Sequence, residues 1–519
     1  MNTSPRSIAE IRSPEISVSR EVHGTSSSNF DSPPSTAKPC FSPALRRTGG
    51  LFLFACLAAL AVGLPASAQK DKPLPKDLPP FGPEKPLQTP RVQQTTLENG
   101  LTIWLVSEPG FPKIFYDVVI LGGYAADPKD RPGLSDLLAA TIDQGTASRN
   151  ARQIAEQLQD AGGDLSASAS RDALSVSAGV LSSKSSEGLA ILADVLQNAT
   201  FPDSEVALAK RNLLDSLDSQ EADPHFLANR ALARVMFGNG PYSVISPTKE
   251  SLTAATAAEL RAEYARRLRP DKVLLVAVGD FTADQMLSLV RQKFANWRSH
   301  TSAAEPPPAA PTIGELPHAI YFVSRPNSVQ TTIELAAFGP KRGDPDYAAA
   351  VVANAIYGGT FGSRLTSNIR EDKGYTYTPG SFLQTFRSAG TLRTQADVRN
   401  AVTGPSLNEI FYEMNRLATT SPTDRELEQA KRYLVGMEAI QMQAHSAVAG
   451  QLASLWLQGL PPEEIGAYSK KIAAMNASDV DAAARKYFPA SRTAIIAVGE
   501  EKVIRDQLAL FGLPIHPAP

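Results

Sequence analysis

Short apolar runs recur along the chain, and two of them close on a glycine. Leu274-Leu275-Val276-Ala277-Val278 precedes Gly279, and Ala494-Ile495-Ile496-Ala497-Val498 precedes Gly499. Neither alternates with polar residues, so both read as strands buried on two sides. Leu101–Val106 and Ile114–Leu121 are rich in β-branched and aromatic residues and predict two more strands. Over 151–161 the period changes. Ile154, Ala155, Leu158 and Ala161 fall on one helical face, Asn150 with Gln153 supplies a capping box, and Gly162-Gly163 stops the helix. Residues 165–180 predict a strand pair or one long strand. Residues 203–220 and 422–445 predict long helices with mixed-charge outer faces.

Part of this pattern occurs twice. Ala209-Lys210-Arg211-Asn212-Leu213-Leu214 returns as Ala430-Lys431-Arg432-Tyr433-Leu434-Val435, 221 residues later, and the two glycine-closed strands are 220 apart. Each of those strands follows a helix rich in Ala, Arg and Tyr and then a proline, Pro270 or Pro489. Two markers at nearly one offset predict a duplicated domain. The expected class is α+β: two homologous domains of ~200 residues, each an antiparallel-rich sheet with helices over one face.

Breakers set the boundaries. Residues 51–64 form an uncharged apolar run after Arg46-Arg47, and Ala66-Ser67-Ala68 follows as a small-residue cleavage site. Residues 1–68 therefore read as a leader with a signal peptide cut near Ala68, which predicts export to the periplasm and no stable membrane span afterwards. Residues 69–94 hold prolines and lysines and predict an extended arm. Residues 95–300 form the first domain, 301–317 a Pro/Ala-rich linker, and 318–519 the second domain. Both cysteines, Cys40 and Cys56, lie in the leader, so stability after cleavage rests on core burial. Charge is balanced, 51 basic against 53 acidic residues, which leaves no nucleic-acid footprint.

The histidines argue against a local metal site. His23, His225, His300, His318, His445 and His516 are all more than five residues apart, whereas zinc takes three or four clustered ligands. His225 and His445 read as packed or surface histidines in or beside long helices.

Several markers nevertheless resemble the insulinase/pitrilysin family of zinc metallopeptidases, the inverzincins, over about residues 95–515. In the first half these are Leu97-Glu98-Asn99-Gly100-Leu101, Gly133-Leu134, Gly145-Thr146, and Gly162-Gly163 followed by Ala167-Ser168-Ala169-Ser170. The family carries H-x-x-E-H on the helix that Gly133-Leu134 opens. Here the two histidine positions hold Asp136 and Ala140, the base glutamate position holds Ala139, and the position of the third ligand holds Ser216. No zinc or water-activating base is carried over. The resemblance makes Ala167, Ser168, Ala169 and Ser170 the sheet edge on which an extended peptide adds as a strand.

The second half retains what the first has lost. Residues 358–377, GGTFGSRLTSNIREDKGYTY, resemble the family's glycine-rich turn, helix and Arg/Tyr pair, with Arg370 and Tyr377 seven residues apart. In the family these side chains reach the zinc site, hold the substrate backbone and stabilise the oxyanion, chemistry suited to a guanidinium and a phenol. The plainer reading has Arg370 pairing with Glu371 or Asp372 and Tyr377 packing in a strand; Tyr375 competes for the tyrosine role. The resemblance implies a non-catalytic subunit of a heteromeric peptidase, with no cofactor of its own and zinc in a partner that carries H-x-x-E-H. Arg370 and Tyr377 would then act in trans on a peptide or protein substrate. The alternatives are an inactive peptide-binding or scaffold protein of the same fold and, with least support, a stand-alone peptidase of another mechanism.

Overall fold

The computed structural model describes residues 87–299, 311 and 313–519. The expected leader, most of the arm and most of the linker, with His300, lie outside the described residues. Two six-stranded mixed sheets organise the rest. The first has the order β1-β2-β6-β3-β5-β4, with β1 Val92–Thr96, β2 Thr102–Ser107, β3 Lys113–Leu121, β4 Asp164–Ala169, β5 Ala173–Leu181 and β6 Val273–Gly279. The second has the order β12-β7-β11-β8-β10-β9, with β7 Ile320–Ser324, β8 Gln330–Gly339, β9 Gly380–Thr385, β10 Gly390–Arg399, β11 Ala494–Gly499 and β12 Ile515–Pro517.

The helices repeat in the same way. The first half holds α1 Leu134–Thr141, α2 Ala151–Asp160, α3 Ser185–Asn198, α4 Asp203–Glu221, α5 Pro224–Phe237, α6 Lys249–Ala254, α7 Ala257–Arg267 and α8 Ala283–Phe294. The second holds α9 Tyr347–Asn354, the π-helix α10 Thr366–Asp372, α11 Thr403–Thr419, α12 Asp424–Gln441, α13 His445–Leu457, α14 Glu464–Ala474, α15 Ala477–Tyr487 and α16 Glu501–Ala509. Strand for strand and helix for helix, the second half retraces the first. One difference lies at a sheet edge. There β1 pairs antiparallel with β2, whereas β12, from the other chain end, pairs parallel with β7.

The sequence predicts helices over one face of each sheet. The structure covers both faces, and the second cover is exchanged between halves. On the first sheet Ile103 and Leu105 of β2 face that half's own helices. The alternate residues Trp104 and Val106, with Leu274, Val276 and Val278 of β6, pack on Val448, Ala449, Leu452 and Leu455 of α13. Reciprocally, Ala228, Ala231, Leu232 and Phe237 of α5 pack against Ala336, Ile496 and Val498 of the second sheet. This explains why β6 and β11 are uninterruptedly apolar: every residue in both is buried. Each large side chain contributes about 2 kcal/mol by leaving water.

Other local expectations are adjusted. Strand β1 begins at Val92, inside the stretch read as an arm, because β2 offers it an edge. Residues 165–180 fall in the hairpin β4–β5. The capping box of α2 forms as read, but Ala155 is exposed and only Ile154 and Leu158 of that helix are buried. The single helix expected over 422–445 is two, because the chain turns at Met442–Ala444 so that α13 can cross onto the first sheet. Among the described residues, no helix is long and apolar enough to cross a membrane.

Candidate functional site

Helix α1 carries three of the four positions at which the resemblance places zinc chemistry. Its start is set rigidly. Gly133 has φ +90°, and a side chain there would collide with Pro247. Asp127 takes the capping role, accepting from the N–H groups of Gly133 (2.8 Å) and Ser135 (3.2 Å) and from Ser135 Oγ (2.7 Å). Arg267 of α7, buried, donates to Asp127 Oδ1 (2.8 Å), Glu263 Oε2 (2.7 Å) and Ser135 Oγ (2.7 Å). Breaking such a buried network costs about 3–5 kcal/mol.

The scaffold is thus fixed, but the donors on it do not form a zinc site. Asp136 accepts a 2.7 Å hydrogen bond from Tyr124 Oη. Burial first, with Asp127 nearby, raises its pKa to about 6 against the hydrogen bond from Tyr124. Ala139 is buried, Ala140 is exposed, and neither has a ligand atom. Ser216 is exposed on α4, against which α1 packs, and its Oγ accepts from Gln220 Nε2 (3.0 Å). Among the described residues no group of three or more His, Cys, Asp or Glu is placed to hold a metal ion. The residues present do not fit zinc.

Of the expected peptide edge, Ala167, Ser168 and Ala169 lie on β4, whose outer side pairs with no strand among the described residues. Ser170 lies just beyond it. Its carbonyl accepts from the Tyr124 N–H (2.9 Å) and its own N–H donates to the Ala173 carbonyl (2.8 Å). The open edge therefore ends at Ala169, a limit that sequence alone did not reveal.

In the second half the expected glycine-rich turn begins as a π-helical segment, Ala355–Gly359, which continues α9 and seats it against β9. A Cβ on Gly358 would lie 2.8 Å from Ser381 Cβ. Asn354 Nδ2 donates to the Ser381 carbonyl (3.0 Å), and Ser381 Oγ donates back to Asn354 Oδ1 (2.6 Å). Arg364, within the same motif, is nearly buried and grips Glu426 at the start of α12 through two bonds, Nε to Oε1 at 2.6 Å and Nη2 to Oε2 at 3.0 Å. These contacts fix the geometry of the motif by joining α9 to β9 and the motif to α12.

Arg370 and Tyr377 differ from those residues in lacking deep engagement. Arg370 lies on α10, its Nε 3.2 Å from Glu371 Oε1, the adjacent acid that the plainer sequence reading named. Its guanidinium lies over the Phe361 ring, 4.6 Å from the centroid. Both Phe361 and Tyr377 are exposed, Tyr377 to 85 %. Tyr377 does not lie in a strand; it belongs to the loop that leads from α10 into β9. Tyr375, the competitor, is half-buried, and its N–H reaches back to the Ile369 carbonyl (2.9 Å).

Two family models match the chain: "Insulinase (Peptidase family M16)" over residues 104–246 and "Peptidase M16 inactive domain" over 254–434. The chain belongs to the insulinase family. Among its relatives, a protein named "Uncharacterized zinc protease YmxG" from Bacillus subtilis is 25 % identical over 66 % of this chain and 83 % of that one. A "Non-peptidase homolog YmxG" from Helicobacter pylori is 24 % identical over 67 % of this chain and 80 % of its own length. A crystal structure described as a peptidase M16 inactive domain, from Pseudomonas fluorescens, has a TM-score of 0.74 at 26 % identity and covers 79 % of this chain and 98 % of that one. A protease structure from Helicobacter pylori superposes with a TM-score of 0.75 over 79 % of this chain at 17 % identity, which shows the shared fold. This insulinase-family chain is of the inactive type: the fold is present and the zinc motif is replaced.

Proposed function

We propose that this chain is the non-catalytic subunit of an exported heteromeric zinc metallopeptidase, and that Arg370 and Tyr377 complete the active site of a partner carrying H-x-x-E-H. The observation that carries the reading is an asymmetry. All four zinc-chemistry positions are substituted, while an arginine and a tyrosine at the family spacing remain, the arginine half-buried and the tyrosine exposed. Tyr377 is exposed, and Arg370 is held by an aromatic face and one exposed carboxylate. Surface ion pairs are weak, so Glu371 leaves the guanidinium available to a stronger anion such as a tetrahedral oxyanion. Zinc belongs to the partner, the substrate is a peptide or protein, and the open edge of β4 helps to carry it as an added strand.

The test is reconstitution of the chain with its H-x-x-E-H partner. Arg370→Ala should abolish peptidase activity while the complex still assembles and the variant melts at the wild-type temperature. An unchanged kcat/KM would sink the role. The second reading, a peptide-binding scaffold, is favoured by the same open β4 edge, because backbone pairing needs no zinc. Peptide binding by the chain alone, with no H-x-x-E-H protein co-purifying at equimolar ratio, would select it.

A further inference from the structure

The two halves meet at equivalent hairpin turns. In the β4–β5 turn, Asp172 accepts from the Arg387 N–H of the β9–β10 turn (2.8 Å) and from Tyr242 Oη (2.6 Å). Tyr242 Oη in turn accepts from the Ser388 N–H (3.2 Å). Beside this joint is an open cavity of about 500 Å³, lined in part by Arg171, Arg387 and Arg393 and by the amides of Asn229, Gln384 and Gln458.

Two of the three arginines are already engaged. Arg393 binds Glu334 Oε2 (2.6 Å) and Asn229, and Arg387 Nη1 donates to the Leu457 carbonyl (3.1 Å). Asp172, the acid in the lining, has both oxygens in use. Arg171 differs. Its guanidinium is stacked on the Phe386 ring, 4.6 Å from the centroid, and its Nε is buried with no hydrogen-bond partner among the described residues. Burial and then the charge of Arg393 lower its pKa to about 10, so it stays a cation at neutral pH. A planar cation held flat on an aromatic face, with a donor out of water and unused, matches a carboxylate through two parallel hydrogen bonds.

The position of the cavity indicates where that carboxylate comes from. The open edge of β4 ends at Ala169, and the next residue, Ser170, is already part of the cavity wall. A peptide that pairs parallel with β4 brings its C-terminal end toward Arg171. We propose that the Arg171 cavity receives a carboxylate of the peptide carried on β4, either its C-terminal group or an acidic side chain near that end. This rests on the peptide-carrying role of β4 proposed above.

The experiment measures fluorescence anisotropy of the full chain with an N-terminally labelled Ala-Val-Ser-Val-Ala-Val-Ser-Glu peptide. Four forms are compared, with a free or amidated C-terminus and with Glu or Gln as the last residue. The wild type should bind a carboxylate-bearing form about tenfold more tightly than the amidated Gln form. Loss of the preference on amidation identifies the terminal group as the ligand, and loss on the Gln exchange identifies the side chain. Arg171→Gln should bind all four forms alike with an unchanged melting temperature, and Arg171→Lys, which keeps the charge but not the fork, should retain only part of the preference. Equal binding of all four forms to the wild type, or a preference that survives in Arg171→Gln, overturns the pocket and leaves the β4 reading standing. Binding of no form removes peptide carriage by the chain alone, and the pocket with it.

Discussion

His225 and His445 lie in the first turns of the two exchanged helices, and each reaches a carboxylate of the opposite half. His225 Nε2 of α5 is 2.8 Å from Asp397 Oδ2 on β10, whose Oδ1 accepts from Thr332 Oγ1 at 2.6 Å. His445 Nε2 of α13 is 3.8 Å from Glu108 Oε2, with the ring edge-on to Phe111. The two contacts tie each exchanged helix to the sheet that it covers. His225→Ala should lower stability by about 0.5–1.5 kcal/mol, since a direct hydrogen bond is lost, and His445→Ala by less than about 0.5 kcal/mol. Urea midpoints of the two variants would settle the ranking, and a larger loss at His445 would contradict it.

The Arg364–Glu426 clamp should dominate the acid side of the stability profile. Arg364 hydrogen bonds first, aided by the Thr423 cap, lower the Glu426 pKa to about 2. A depressed folded-state pKa contributes stability that is complete above the ordinary glutamate range and is lost as pH falls toward 2. Allowing for partial exposure, that contribution is about 2 kcal/mol. Glu426→Gln should therefore melt lower at pH 7 and come close to wild type near pH 2. Thermal melts across that window check it.

Asp136 has the opposite sign. Its folded-state pKa is raised to about 6, chiefly by burial, so the charged form is disfavoured in the fold. Its effect on stability is most favourable below the ordinary aspartate range and declines as pH rises through 6. Asp136→Asn keeps an acceptor for Tyr124 Oη and removes the charge. It should gain about 1–3 kcal/mol at pH 8 and nothing near pH 3.5. A loss of stability at pH 8 would mean that Asp136 is held by something other than Tyr124.

Chelation should leave the isolated chain unchanged. Asp136 is engaged with Tyr124, and Ala139, Ala140 and Ser216 supply no zinc ligand set. Dialysis against zinc followed by buffer should leave less than about 0.1 equivalent bound, and EDTA should not shift the melting temperature. Stoichiometric zinc on the purified chain would refute the inactive assignment.

Local signals in this chain were legible where they depend on neighbours in sequence. The Asn150/Gln153 capping box formed because both partners lie within one turn. The start of α5 is marked by Asp223-Pro224, a cap followed by a first-turn proline. Its counterpart α13 begins at Gln443-Ala444-His445 without such a mark, so the α12–α13 break was not visible. Arg171 carries no local signal for a similar reason: an Arg-Asp pair in a turn looks like ordinary surface until Phe386, 215 residues away, stacks beneath it.

The sequence by itself determined that this chain is a duplicated α+β protein and that other residues stand where the family resemblance places H-x-x-E-H. Those properties rest on residue identity and on periodicity, which act over a few residues or repeat at a fixed offset. Only the tertiary structure decided that each half buries a helix of the other and that the open β4 edge ends at Ala169. It likewise showed that Arg364 is a structural clamp while Tyr377 remains at the surface. These outcomes depend on which side chains meet across two hundred residues of chain. That choice is made by burial of apolar faces and by completion of polar partners in three dimensions.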